Sequence, residues 1–343
     1  MNLCKMLVVL MAMLLLCAVA WAEGTPGDVP VGSGGMLLPG SDGYDAESPR
    51  FSTVPGCPEL ARRDVVSIDF LSDLSGAPED AWDMSAAGDG SVLAWSEARR
   101  SRYALFIAAD GPVRANPDSA RLFAYYTNLR EINFNGALDT SAVTDMSHLF
   151  RCTYALAEVD LSAFDTSGVT DMNNMFEGSF VAALDLSGFD TSRVTSMESM
   201  FDDCWYLTEL DLSAFDTSSV TNMDFMFFSC TGVTKLNLSS FDTSSVTTMT
   251  GMFSNCSALP ALDLSSFDVS GLTTMNGLFY GCEALTTLNL SSFHASGVTA
   301  MANLFAGCAS LSTLTVPADF NLELAAAEGY LNNCPVKNLN IVE

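Results

Sequence analysis

The segment Leu212–Cys230, with the sequence LSAFDTSSVTNMDFMFFSC, decides the fold of this chain because it returns almost unchanged along the sequence. The next copy, Leu238–Cys256, reads LSSFDTSSVTTMTGMFSNC and begins 26 residues later. Self-similarity at a fixed period of about 20–50 residues is the sequence signature of stacked supersecondary units. We therefore interpret the chain as a repeat protein.

Two residues are fixed in the copies of the repeat. One is a phenylalanine before a turn and the other is a methionine after it: Phe164, Phe189, Phe215, Phe241, Phe267 and Phe293, then Met172, Met197, Met223, Met249, Met275 and Met301. A single unit of this length cannot bury its apolar side chains alone, so neighbouring units must stack and share the burial.

Each unit contains three local patterns. Leu207–Leu212 ends in apolar and polar alternation, which predicts a short strand. Phe215–Ser218 has the composition of a turn. Met223, Met226 and Phe227 stand at positions i, i+3 and i+4, which predicts a short helix. The expected fold class is thus α/β: a leucine-rich-repeat solenoid of about seven 26-residue strand-turn-helix coils, with parallel strands and a cap at both ends.

The repeat motif also resembles a known family. Its core, Phe-Asp-Thr-Ser-x-Val-Thr-x-Met-x-x-Met-Phe-x-x-Cys at Phe215–Cys230, is similar to the BspA-type leucine-rich repeat of bacterial surface proteins, a unit shared with mycoplasma-type lipoproteins. The resemblance covers about Phe123 to Val316. It implies a secreted or surface-displayed solenoid that adheres to host matrix, host cells or other microbes, and it implies no catalytic residues.

The chain begins with the pattern of an export signal. Lys5 precedes the apolar run Met6–Leu16, and Ala20-Trp21-Ala22 fits a cleavage site, whereas a membrane-spanning helix would need about 20 apolar residues. We expect a secreted or cell-surface protein with no membrane insertion after cleavage. The predicted organisation is a signal peptide over residues 1–22, a flexible Gly/Pro-rich leader over 23–63, an N-terminal capping module over 64–122, the solenoid over 123–316 and a C-terminal cap over 317–343.

The chain is strongly acidic. Its 41 Asp and Glu residues outnumber 14 Lys and Arg residues, for a net charge of −27. From Cys152 to the end of the chain the only basic residues are Arg193, Lys235 and Lys337. Such a field repels phosphate backbones and anionic membranes, which argues against nucleic-acid binding and favours cationic partners or divalent cations.

Cysteines recur at the repeat spacing: Cys204, Cys230, Cys256, Cys282, Cys308 and Cys334. In an exported chain they could form disulfides. Parallel coils about 4.8 Å apart, however, hold successive Cβ atoms slightly farther apart than the ~3.5–4.5 Å that a disulfide requires. We therefore predict a column of buried free thiols.

Stacking also aligns acidic residues. One row runs through the turns and consists of Asp165, Asp190, Asp216, Asp242 and Asp268. Repulsion between these carboxylates would be relieved by calcium, which makes them candidate calcium ligands. Alternatively, backbone N–H groups and neighbouring hydroxyls hold each aspartate, since adjacent carboxylates alone supply fewer oxygens than calcium requires. No other metal and no cofactor is expected.

A second row lies on the predicted strand face and is our candidate contact surface for an extracellular protein or glycan: Asp160, Asp185, Thr208, Glu209, Asp211, Lys235, Asn237, Asp263, Thr287 and Asn289. His148 and His294 have no nucleophile motif beside them, so we expect no enzyme. The predicted function is adhesion. The alternatives are a self-associating envelope or matrix component and, least favoured, a secreted enzyme with its site in the N-terminal module. The sequence alone indicates no particular oligomeric state.

Overall fold

The computed structural model describes residues 60–86, 89–323 and 333–343. The predicted signal peptide and the predicted leader up to residue 59 lie outside this part of the chain. A short 3₁₀-helix spans Arg62–Asp64. The strands are β1 (Val65–Leu71), β2 (Trp82–Asp83), β3 (Val92–Arg99), β4 (Arg102–Ala109), β5 (Val113–Arg114), β6 (Glu131–Asn133), β7 (Leu138–Asp139), β8 (Glu209–Asp211), β9 (Lys235–Asn237), β10 (Thr287–Asn289), β11 (Thr313–Pro317) and β12 (Asn338–Val342).

The N-terminal strands form a five-stranded sheet in the order β2-β3-β4-β1-β6. Strands β3 and β4 form an antiparallel hairpin, in which Trp95 and Phe106 stack with ring centroids 5.3 Å apart. Strand β1 buries Val65, Ile68 and Phe70 and pairs in parallel with both β4 and β6. This sheet therefore joins the N-terminal part of the chain to the start of the repeat stack.

The strands of the repeats pair in parallel, one repeat apart. Leu210 faces Leu236 between β8 and β9, and Leu288 faces Leu314 between β10 and β11. The same pairing continues from β11 to β12 at the C-terminal end of the described chain. The predicted parallel stacking of strands is confirmed. In the described residues, no helix has the length and apolar character needed to cross a bilayer.

The predicted helices are wrong for the described repeats. Met223, Met226 and Phe227 do lie on one buried face, but the segment from residue 224 to 229 consists of consecutive turns. Phe225 and Ser229 have positive φ angles of 57° and 54°, which a right-handed helix does not allow. The repeats are thus built from strands and turns, with no α-helix between residues 123 and 316.

The hydrogen bonds of this segment explain why turns replace a helix. The N–H groups of Phe225, Phe227 and Ser229 donate to carbonyls of the next repeat at 2.8–2.9 Å. The N–H groups between them, such as that of Phe228, donate three residues back within the same repeat. A helix would direct every N–H along its own axis and leave none for the neighbouring repeat. In the turns, by contrast, every second N–H group donates to the next repeat and so bonds the two repeats together.

Phenylalanine side chains form a continuous column through the core. Consecutive members lie one repeat apart, with ring centroids 5.3–5.8 Å apart and ring planes within 1–19° of parallel. They are Phe123, Phe150, Phe176, Phe201, Phe227, Phe253, Phe279 and Phe305. The methionines of the repeat are fully buried beside this column. Residues that are one repeat apart in the sequence are therefore neighbours in one shared hydrophobic core.

Buried threonines add a polar ladder to this core: Thr140, Thr166, Thr191, Thr217 and Thr243. The hydroxyl of Thr217 donates to the carbonyl of Asp242 at 2.8 Å and accepts from the N–H of Asp242 at 2.9 Å. The ladder ends at Val269, which has no hydroxyl, and the N–H of His294 donates to Ser292 at 3.0 Å instead. Each threonine thus ties its turn to the turn of the next repeat.

Candidate binding surfaces

Six of the ten predicted strand-face residues lie in strands β8, β9 and β10, whereas Asp160, Asp185, Thr208 and Asp263 lie outside the strands. Glu209 is in register with Lys235, and Asp211 with Asn237. All of the predicted residues are exposed except Asn237, which is half-buried. These residues thus present polar side chains to solvent.

Many side chains in this row already have partners. The Asp211 carboxylate accepts from the Asn237 amide at 2.8 Å, and Lys235 Nζ lies 3.7 Å from Glu209 Oε2. Serine groups two residues further along the chain bond to the row's aspartates and lower the pKa of their carboxyls, as at Asp160, Asp185, Asp211 and Asp263. The assignment of this face as a contact surface stays a prediction.

The turn aspartates are held by their own turns. The Asp216 carboxylate accepts from the Ser218 N–H at 3.0 Å and from the Ser218 hydroxyl at 2.6 Å. These two bonds lower the pKa of the Asp216 carboxyl. Across residues 60–86, 89–323 and 333–343, no group of three or more His, Cys, Asp or Glu residues is arranged to hold a metal ion. The calcium hypothesis stays an untested prediction.

The cysteines of the repeats are free thiols. Five of them each donate to the carbonyl of a phenylalanine in the repeat before their own, at 3.0–3.2 Å: Cys204, Cys230, Cys256, Cys282 and Cys308. Burial raises the pKa of Cys256 to about 12. A thiol held in this way is a poor nucleophile. Thr153 and Ser179 occupy the same position in two earlier repeats, and their hydroxyls lie 2.9 Å apart.

A group of exposed aromatic side chains was missed by the sequence analysis. Tyr154, Trp205 and Tyr206 are 44%, 47% and 55% exposed, and Phe180 is half-buried between them. The Phe180 ring centroid lies 5.3 Å from that of Tyr154, 5.9 Å from that of Trp205 and 4.7 Å from that of Tyr206. We call these four residues the aromatic cluster.

The aromatic cluster is a departure from the repeat. Tyr154, Phe180 and Trp205 each follow the cysteine position of their own repeat directly. The equivalent residues of the later repeats are small or polar: Thr231, Ser257, Glu283 and Ala309. Core packing does not require an aromatic ring at this position. The signal was therefore present in the sequence, in the positions that vary rather than in those that repeat.

Acidic side chains adjoin the aromatic cluster. The Trp205 indole Nε1 donates to Asp203 Oδ1 at 3.1 Å. Glu177 accepts from Arg151 at 2.7 Å, and both side chains are 18% exposed. Asp202 is close enough to Asp203 and Glu177 for their charges to raise the pKa of its carboxyl. We call Glu177, Asp202 and Asp203 the acidic group.

Burial is the largest cause of the raised pKa values in the acidic group. It raises the pKa of Glu177 against the opposing charge of Arg151, and it raises that of Asp203 against the hydrogen bond from Trp205. Burial raises the pKa of Asp202 well above its ordinary value. Within the described residues, Asp202 Oδ1 is buried and has no hydrogen-bond partner. Ionisation of these carboxyls therefore has a cost in stability.

Replacing Asp202 with asparagine is expected to stabilise the protein at neutral pH. Because the pKa of Asp202 is raised on folding, the folded state binds its proton more tightly than the unfolded state, and the ionised carboxylate is destabilising above that pKa. The variant should gain about 1–2 kcal/mol in the free energy of unfolding near pH 7.5. The gain should shrink as the pH falls through the raised pKa toward the ordinary carboxyl value.

Urea unfolding of both proteins near pH 7.5 and near pH 5 measures this difference. Asp80→Asn serves as the control because Asp80 is exposed in the N-terminal part of the chain. An equal difference between the proteins at both pH values would contradict the argument.

The two histidines have separate surroundings. His148 Nδ1 lies 3.3 Å from the Arg151 guanidinium, and burial, Arg121 and Arg151 lower the pKa of His148 to about 3. His294 Nδ1 lies 3.0 Å from Asp319. Neither contact places a nucleophile beside the ring, so the geometry gives no support to acyl-transfer chemistry of the Ser-His or Cys-His kind.

These features define the class of the molecule: a parallel-stacked repeat protein with a strand-and-turn repeat and an N-terminal sheet. The chain belongs to the family described as "Mycoplasma protein of unknown function, DUF285", whose sequence model matches residues 118–231 and again residues 203–316. The two matches overlap and follow the repeats. No curated protein matches the chain.

Proposed function

We propose that this protein is an exported leucine-rich-repeat solenoid that binds an extracellular protein or glycan and serves in adhesion. The observation that carries the proposal is the long surface made by the repeats, in which each exposed position recurs at the spacing of neighbouring strands. Such surfaces suit repeat proteins for contact with large partners. The resemblance of the repeat to BspA-type surface proteins supports the same function.

The leucine-rich character of the repeat supports this assignment. In the Leu-x-x-Leu-x-Leu segment of one repeat, Leu207, Leu210 and Leu212 are all buried, while Glu209 and Asp211 are exposed between them. That alternation separates a buried face from an exposed face, as expected for a leucine-rich repeat. The acidic composition favours a partner with basic surface.

A structural role is the second candidate, and one observation favours it. Strand β12 is the last strand of its sheet, and its Leu339 and Ile341 side chains are 43% and 58% exposed. An exposed apolar edge strand offers free backbone groups to another strand. Self-association through this edge would build an envelope or matrix layer.

One experiment separates the two candidates. The purified chain from residue 23 to 343 is tested against immobilised matrix proteins, mucins and whole cells at physiological salt, with light scattering of the same sample. We expect saturable binding by a monomeric protein. Absence of binding together with ordered assembly would favour the structural role, and Ile341→Lys should then abolish the assembly.

A further inference from the structure

The aromatic cluster and the acidic group together have the properties of a docking surface. Large rings that are nearly half exposed leave apolar surface in contact with water. When such rings occur together, they mark a binding site. Tryptophan and tyrosine are also the side chains that most often dominate the binding energy of protein interfaces. At this repeat position the core tolerates threonine, serine or alanine, so packing alone does not account for the rings.

The carboxyl groups beside the rings indicate the charge of the ligand. Asp203 is bonded to the Trp205 indole, and Asp202 lies near both Asp203 and Glu177. The basic side chain of Arg151 is bonded to Glu177 at 2.7 Å. Aromatic faces attract cations through the ring quadrupole, and buried carboxylates strengthen that attraction. An anionic ligand would be repelled here, and a neutral ligand would leave the carboxylates uncompensated.

We propose that the aromatic cluster and the acidic group form the docking site for a lysine- or arginine-rich segment of a partner protein. The cationic side chains stack on Trp205 and the neighbouring tyrosines, and their N–H groups donate to Asp203, while Asp202 and Glu177 add negative charge close by. This inference rests on the proposed binding function and gives that function a place and a partner chemistry. It assigns binding to a different surface from the strand face.

The structure supplies a direct probe of this site. Trp205 is 47% exposed, whereas Trp82 and Trp95 are only 9% and 8% exposed. Trp21 lies in the predicted signal peptide and is absent from a chain that begins at residue 23. A ligand that docks on the cluster should change the fluorescence of Trp205, and the two buried tryptophans should respond little.

The test uses octalysine as the ligand and the chain from residue 23 to 343. We expect a saturable change in tryptophan fluorescence, and dye-labelled octalysine should give the same affinity by anisotropy. The double variant Tyr154→Ser with Trp205→Thr should weaken binding at least about tenfold. Its matched control, Tyr103→Ser, removes an aromatic side chain that is 38% exposed in β4 and should change the affinity less than about twofold.

The role of the carboxylates is tested with a second pair of variants, one at the site and one as its control. This pair is needed because a chain of net charge −27 attracts any polycation. Asp202→Asn with Asp203→Asn removes two carboxylates at the site, and asparagine already occupies the position of Asp203 in other repeats, at Asn255 and Asn333. Glu79→Gln with Asp80→Asn removes two exposed carboxylates in the N-terminal part of the chain. The first pair should weaken binding about tenfold and the second less than about threefold.

Two results would overturn the proposal. One is equal weakening by the site variants and their controls, which would mean that only the general field binds octalysine. The other is a fluorescence change with a neutral hexasaccharide and none with octalysine, which would make the cluster a glycan site. Urea midpoints of all variants establish that they fold, and the single variant Tyr206→Ala provides a milder test.

The outcome for the docking site is separable from that for adhesion. If octalysine binds at Trp205 but no matrix protein, mucin or cell is bound, the adhesion proposal fails and the docking site stands. If extracellular surfaces are bound equally by the wild type and by Tyr154→Ser with Trp205→Thr, the docking site fails and adhesion stands.

Discussion

Phe227→Ala is expected to lower the free energy of unfolding by about 3–5 kcal/mol. Phe227 is 1% exposed, and its ring centroid lies 5.6 Å from that of Phe201 and 5.7 Å from that of Phe253. Removal of the ring leaves a cavity in the middle of the column. Its walls can close only in part, because backbone bonds such as that from the Phe227 N–H to Met252 at 2.9 Å hold the repeats at their spacing.

Urea unfolding followed by circular dichroism and tryptophan fluorescence measures this loss. Phe225→Asn is the matched control, because Phe225 lies two residues away, is 36% exposed and has asparagine at the same repeat position in Asn174 and Asn303. The control should change the free energy of unfolding by less than about 1 kcal/mol. Similar losses in the two variants would show that the column is not a main source of stability.

Thr217→Val is expected to cost about 1–3 kcal/mol, although valine has almost the same shape. The Thr217 side chain is fully buried and makes two hydrogen bonds to Asp242, one as donor and one as acceptor. Valine would leave the Asp242 N–H and carbonyl without these partners. The loss of one hydrogen bond costs about 0.5–1.5 kcal/mol, and the loss of both bonds sets the range.

Thr221→Val is the control for this prediction. Thr221 is exposed and donates to the Thr195 carbonyl at 3.2 Å, so water can replace its hydroxyl. Its loss should be below about 0.5 kcal/mol by the same urea measurement. A Thr217→Val protein as stable as this control would mean that the threonine ladder contributes nothing to the contact between repeats.

Much of the fold could be predicted from the sequence because the buried positions recur with the same 26-residue period as the apolar residues of the repeat. The fixed leucines, phenylalanines and methionines are the core, and the parallel pairing of β8 with β9 follows from their spacing. The helix was mistaken because apolar residues at i, i+3 and i+4 also share a face in a run of turns. Gly251 and Gly277, which occupy the position of Phe225, already indicated a positive φ angle there.

The surfaces were harder to predict, for a different physical reason. The strand-face and turn aspartates repeat because they bond to their own serines, as Asp216 does to Ser218. An aspartate that recurs from repeat to repeat was therefore as consistent with a role in its own turn as with a role in binding. The aromatic cluster interrupts the repeat at Tyr154, Phe180 and Trp205, and only contact between the three repeats brings it together. A function carried by one part of a repetitive chain is found where its repeats differ.

The direction of the bonds between repeats also governs how the molecule responds to a pull. Bonds such as that from Phe227 N to Met252 O lie along the stack, so tension applied to the two ends loads them in series. The outermost repeat would yield first, releasing 26 residues, or roughly 90 Å of extended chain, while the remaining repeats hold. A molecule built in this way should lengthen in equal steps under load and keep its remaining repeats folded.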